Sequence, residues 1–263
     1  MHESVKHPTK ILPFSKVNTE LSPKLYRRLV PLLHKLLSLF LKRDWDDFAS
    51  LPAAGPAIVV SNHLTSFDAV IIVEYILYHG RYPYILAKST LWNVPMLGAL
   101  LRDIDMIPVS RGTAQASDSL AAAREKLAQG KIVFIFPEGT TTRDTQMWPF
   151  SAKTGAARLA IETGAPVIPF GHWGASTICP DNAGPQKWPH LLPRHWVCIR
   201  SGDPIDMSPY GRDVNDREAV RAASAAIIAA LVPLVEDARG EVAPPLRWNP
   251  KTESYVDPAL AVW

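Results

Sequence analysis

From residue 56 onward, short apolar runs rich in β-branched and aromatic residues alternate with longer stretches of helical periodicity, and this alternation restricts the fold more than any other feature. The runs fall at residues 56–60, 83–87, 104–109, 131–136, 166–170 and 195–200, and the helical stretches fit 67–79, 90–101, 114–129, 152–163 and 214–238. Strands joined through helices need crossover connections, and a sheet built that way is covered on both faces. The expectation is an α/β domain over residues 45–240, with a mostly parallel sheet flanked by helices. The clearest helix ends at Gln129, with Gly130 as its C-cap. Residues 172–194, rich in Pro, Trp and Gly, read as an irregular loop.

The flanks differ from this body. Residues 1–21 read as a loose tail, residues 22–44 as an amphipathic helical element, and residues 241–263, which contain four prolines, as a C-terminal tail. In the helical element Leu25, Leu29, Leu32, Leu33, Leu36, Leu37 and Phe40 recur at steps of three and four. Between Lys24 and Arg43 stand six Lys or Arg and no acid. An apolar stripe beside a basic one suits contact with a phospholipid surface, although a helix packed on the domain's own core would share the stripe. A net charge of only +3 over 263 residues argues against a nucleic-acid partner. Cys179 and Cys198 are too few for a zinc ribbon and fit a reducing compartment. The first twenty residues lack an apolar signal centre, and no uncharged apolar run of about 18 residues occurs, so a peripheral or monotopic protein at the cytoplasmic face of the membrane is expected.

Ligands of open parallel sheets bind outside the carboxyl ends of the strands, where loops and helix amino termini converge. After the first run comes Asn62-His63-Leu64-Thr65-Ser66-Phe67-Asp68. Residues five apart on a helix point roughly 140° from each other, so His63 and Asp68 can meet only across a bend, His63 in a loop and Asp68 in the first helical turn. Thr65-x-x-Asp68 also has the form of a capping box, which gives Asp68 a purely local role. Lys88 follows the second run, Arg111 the third, and Pro137-Glu138-Gly139-Thr140 the fourth. Singly, Lys88 and Arg111 read equally well as solvated strand ends and Glu138 as a turn residue, but their shared address groups them. A histidine oriented by a carboxylate can take a proton from a hydroxyl, two cations can hold an anionic substrate, and Gly139 lets a backbone amide approach closely. No serine stands in a nucleophile elbow, so no covalent acyl-enzyme is indicated.

These residues resemble the glycerolipid acyltransferases typified by the 1-acyl-sn-glycerol-3-phosphate acyltransferases. Asn62-His63-x4-Asp68 looks like the family's first block, Lys88-x-x-Leu91-x-x-x-Pro95-x-x-Gly98 leading to Arg111 like the second, Phe136-Pro137-Glu138-Gly139-Thr140 like the third, and Ala165-Pro166-Val167-Ile168-Pro169 like the fourth. The resemblance implies that family's α/β fold with an amino-terminal helical membrane element. It implies transfer of a fatty acyl group from acyl-CoA or acyl carrier protein to the hydroxyl of a lysophospholipid, with no metal and no resident cofactor. His63 would be the base and Asp68 its partner. Arg111, Glu138, Gly139 and Thr140 would lie around the acceptor phosphate, and Lys88 would steady the oxyanion or the substrate. Thr141 stands where many relatives carry Arg, and Arg143 is the nearby cation that could replace it; Lys153 resembles the family's continuation. Phosphatidic acid is the expected product, with another lysophospholipid acceptor or a non-catalytic lipid-binding role as the alternatives.

Overall fold

The computed structural model describes residues 24–46, 50–109, 116–180, 190, 192–249 and 251–258. Along them run helix α1 (Lys24–Phe40), strands β1 (Leu41–Trp45) and β2 (Ala57–Ser61), α2 (Asp68–Tyr78), β3 (Pro83–Lys88), α3 (Leu97–Asp103), β4 (Ile107–Val109), α4 (Ala116–Ala128), β5 (Ile132–Ile135), α5 (Gly155–Thr163), β6 (Val167–Trp173), β7 (His195–Ser201), α6 (Arg217–Arg239), and a hairpin of β8 (Arg247–Asn249) and β9 (Ser254–Val256). Seven strands form one sheet in the order β1-β7-β6-β2-β5-β3-β4. β6, β2, β5, β3 and β4 are mutually parallel, β7 is antiparallel to β6, and β1 is parallel to β7.

The period-two alternation of the strands sorts the core into two halves. Ile58, Val60, Val133, Ile135 and Val167 pack with residues of α4, α5 and α6 on one face. Ala57, Val59, Ile132, Phe134, Ile168, Phe170 and Val197 pack with α1, β1 and α2 on the other. β2 is buried at all five positions, as a central parallel strand covered on both sides must be. By length and composition α6 could cross a membrane, but Val220, Ala223, Ile227, Leu231 and Val235 bury it against the protein. Its contact with β6 is so close that a Cβ on Gly171 would lie 2.5 Å from Leu234. It is a core helix.

The helical element expected through residue 44 stops at Phe40, and residues 41–45 form a strand instead. Leu41, Arg43 and Trp45 alternate inward, and the charge of Arg43 is tolerated there because it meets Glu74 of α2. The stretch 90–101 is also divided: a 3-10 turn at Ser89–Asn93 precedes α3, with Pro95 and Met96 (φ 62°) between them. Gly98 is needed at this junction, since a Cβ there would lie 2.1 Å from the Trp92 carbonyl oxygen. The tail after Gly240 returns to the body, where the Tyr255 hydroxyl donates to Asp144 at 2.9 Å.

α1 divides its leucines between inside and outside. Val30, Leu37 and Phe40 are buried, and His34 Nδ1 lies 2.7 Å from Glu74 Oε1. Leu32, Leu33, Leu36 and Leu39 are exposed, at 64%, 39%, 53% and 68%, together with Lys35. The side chains of Leu25 and Leu29 lie outside those described.

Candidate active site

β2 delivers Ser61 to the rim of the sheet, and the chain turns through Asn62, His63 and Leu64 before α2 begins at Asp68. The bend is held from its far end. Asp68 Oδ2 accepts hydrogen bonds from the backbone N–H of Leu64 at 2.5 Å and of Thr65 at 2.8 Å, and lies 3.0 Å from His63 Nδ1. Its other oxygen accepts from the Thr65 hydroxyl at 3.0 Å. The bonds to the loop amides and to the histidine therefore belong to one carboxylate; Phe67 precedes α2 without a side-chain cap, so Thr65-x-x-Asp68 holds the bend and does not cap the helix. Burial disfavours the charge of Asp68, but the neighbouring His172 and His63 hold it well below the usual carboxylate range.

The His63 ring is fixed on a second side by Phe136, stacked at 3.8 Å between ring centres and 11° between planes. With Nδ1 on Asp68, Nε2 is the nitrogen that can take a proton. The backbone of His63 is held as well: its N–H donates to Glu138 Oε1 at 3.1 Å, and its carbonyl accepts from Thr142 N at 2.7 Å. The ends of β2 and β5 are thereby laced together around the imidazole.

Glu138 thus braces the His63 backbone. Burial pushes its carboxyl up to about 8, with the charges of Asp68 and Asp144 adding and N–H bonds from His63 and Phe150 opposing. Gly139 sits at φ 73°, where glycine is favoured, and a Cβ there would meet Lys153 Cγ at 3.0 Å. Thr140 and Arg143 are exposed, while Thr142 and Asp144 between and beyond them are buried. Asp144 accepts from Gln146 N and Trp148 N, which folds the loop firmly and leaves Arg143 on its outer side. Lys88 ends β3, two strand spacings or about 10 Å from the line of β2, and it is exposed. Arg111 lies outside the described residues. The structure therefore brings together His63, Asp68 and Glu138, with Gly139 beside them and Lys88 farther along the same rim.

Sequence reasoning missed His172. It lies in β6, on the other side of β2 from β5, in a segment read as loop from residue 172 onward. It is fully buried, with Nε2 2.9 Å from the Asn62 carbonyl oxygen and 3.6 Å from Asp68 Oδ2. Asn62 locks onto the same residue: Nδ2 donates to the His172 carbonyl at 3.0 Å, and Oδ1 accepts from its N–H at 2.9 Å. Next to it, Trp173 and Trp148 both contact the Arg239 guanidinium, at 4.0 and 4.2 Å, tying the rim loop to the end of α6. The signal was available, because the rim address that selects His63 applies equally to the end of a fifth parallel strand.

The family model described as Acyltransferase matches residues 46–173. Over 143 residues the chain is 31% identical to a chloroplastic 1-acyl-sn-glycerol-3-phosphate acyltransferase of Brassica napus, covering 54% of this chain and 40% of that one. Over 163 residues it is 30% identical to a 1-acyl-sn-glycerol-3-phosphate acyltransferase of Salmonella typhimurium, covering 60% of each. The chain thus spans between 40% and 60% of the length of these two curated relatives. The crystal structure of the 1-acyl-sn-glycerophosphate acyltransferase of Thermotoga maritima has the same fold, with a TM-score of 0.60 at 22% identity over 84% of this chain and 82% of that one.

Proposed function

We propose that the chain, whose residues 46–173 match the family model described as Acyltransferase and part of which is similar to curated 1-acyl-sn-glycerol-3-phosphate acyltransferases, transfers a fatty acyl group from an acyl thioester to the hydroxyl of 1-acyl-sn-glycerol 3-phosphate, giving phosphatidic acid. The observation that carries the chemistry is the His63–Asp68 contact at 3.0 Å, buried on the Asp68 side and packed against Phe136. In this reading His63 Nε2 takes the proton of the acceptor hydroxyl as the oxygen attacks the thioester carbonyl carbon. Asp68 keeps Nδ1 protonated and stabilises the imidazolium. The tetrahedral intermediate collapses with loss of the thiolate, which receives the proton back from Nε2. In this reading the acyl group passes directly to the acceptor, with no covalent acyl-enzyme.

The donor in this proposal is acyl-CoA or acyl carrier protein, and the protein resides peripherally on the cytoplasmic leaflet. The exposed Leu32, Leu33, Leu36 and Leu39 of α1, with Lys35, support that placement, since apolar side chains flanked by cations suit the headgroup boundary of an anionic membrane. Lys88, Arg143 and Arg111 are the cations proposed to meet the acceptor phosphate. The raised Glu138 carboxyl favours an anionic acceptor, because a second carboxylate charge beside Asp68 would repel it.

The test measures free-thiol release with palmitoyl-CoA and palmitoyl acyl carrier protein against a panel of lysophospholipids. Wild type should turn over fastest with 1-acyl-sn-glycerol 3-phosphate, and His63→Ala should lose about 10²- to 10⁴-fold in rate while folding normally. Faster turnover with another lysophospholipid would move the acceptor assignment, and lipid binding without thiol release from any pair would replace the enzyme reading by a lipid-binding one.

A further inference from the structure

We infer that His172 is a positioning residue for the His63–Asp68 pair: its Nε2–H, anchored on the Asn62 carbonyl, lies against the Asp68 carboxylate and moderates how strongly that carboxylate draws the proton on His63. The inference rests on reading His63 as the base, and it adds a second histidine to the same carboxylate. Two acceptors face His172 Nε2, the Asn62 carbonyl at 2.9 Å and Asp68 Oδ2 at 3.6 Å, so the hydrogen belongs on Nε2. The first contact is a hydrogen bond; the second, too long for one, is an electrostatic contact between an N–H dipole and a buried anion. His172 Nδ1 is buried and has no partner among the described residues. A charged ring would leave an unpaired N–H in that dry position, whereas a neutral ring leaves only a lone pair there, so the geometry favours the neutral Nε2–H form.

The consequence concerns how negative charge is shared at Oδ2. That oxygen already receives the N–H groups of Leu64, Thr65 and His63, and His172 adds a fourth positive dipole from the strand on the other side. Each donor that stabilises the charge of Asp68 leaves less of it to stabilise an imidazolium on His63. The two reciprocal bonds between Asn62 and the His172 backbone keep the ring from moving away. Removal of the Nε2–H should therefore make His63 more basic. Among the described residues, Glu138, from the loop after β5, also faces the pair, with Asp144 behind it.

Because burial raises the neighbouring Glu138 carboxyl to about 8, the shift is to be read on the His63 ring itself, in full-length protein with 15N-labelled histidine and the His63 signals assigned from His63→Gln. His172→Phe keeps the ring and removes the donor; the His63 midpoint should rise by about half a pH unit or more. His172→Asn, whose amide stops at the place of Nδ1, should shift it similarly. His172→Gln carries an N–H to about the place of Nε2 and should restore the wild-type midpoint. The acid limb of thiol release should follow the same order. An unchanged His63 midpoint in folded His172→Phe and His172→Asn would overturn the inference, as would a shift that His172→Gln fails to reverse. These titrations need no turnover, so their failure is distinct from failure of the acyltransferase reading, which is decided by His63→Ala in the thiol assay.

Discussion

Replacing Glu138 by Gln should reverse the order of stability of two nearly identical proteins as the pH rises. The wild-type carboxyl is raised from 4.5 to about 8 in the folded protein, chiefly by burial. A carboxyl raised on folding contributes stability that is complete below the unfolded value and is lost as pH climbs through the folded one. Integrating the proton linkage between those values gives a loss of up to about 3.5 kcal/mol from pH 5 to pH 8, and less in proportion as water reaches the half-buried group. Gln keeps the shape and an oxygen for the His63 N–H but cannot accept with both ends, so the loss of one backbone bond should cost about 1 kcal/mol at every pH. The two proteins should therefore lie within about 1 kcal/mol of each other at pH 5, and the variant should be more stable by up to about 3 kcal/mol at pH 8. Urea unfolding followed by fluorescence of the eight tryptophans, at half-unit steps from pH 5 to 8.5, measures both curves. Parallel curves would refute the reasoning, because they would mean that Glu138 is already ionised in the folded protein at neutral pH.

Gly98→Ala should destabilise the fold by about 2 kcal/mol or more, since a Cβ 2.1 Å from the Trp92 carbonyl forces the turn before α3 to move; thermal unfolding checks it, and an unchanged midpoint would contradict the contact. Glu74→Ala leaves the buried Arg43 guanidinium without its 2.5 Å partner and should cost about 3–5 kcal/mol, seen as a lower urea midpoint. Leu36→Ser with Leu39→Ser alters only exposed positions of α1, so stability should change by less than about 1 kcal/mol. Flotation with anionic vesicles should nevertheless fall roughly a hundredfold in affinity, from about 3 kcal/mol of lost apolar contact; unchanged flotation would remove α1 from the membrane contact.

The fold was legible where one segment carries its own pattern. β2, β3, β5 and β7 lie within a residue or two of their runs, because an apolar β-branched stretch between turn signals reports on itself. β1 was not legible, since Lys42, Arg43 and Asp44 disguise its alternation and the buried Arg43 is charge-paired with Glu74, a partner 31 residues away. The division of residues 90–101 was missed for a related reason. Helical periodicity runs through Pro95, and only the close approach of Gly98 to Trp92 shows that the chain turns there.

The site divides along the same line. His63 and Asp68 close a short bend, so their meeting follows from five residues of local geometry, and the structure shows that contact at 3.0 Å. Grouping Glu138 with them required only that strand ends share a rim. Which strand ends are neighbours is a different quantity: the order β6-β2-β5-β3-β4 is a property of long-range pairing, and nothing local to residues 57–61 states it. That order puts Glu138 and His172 on either side of His63 and moves Lys88 two strands away. His172 is 110 residues from Asn62, and its bonds exist only once β6 lies beside β2. The parts of the site that short spacing determines could be read directly, whereas the electrostatic environment of His63 is assembled by strands brought in from both sides.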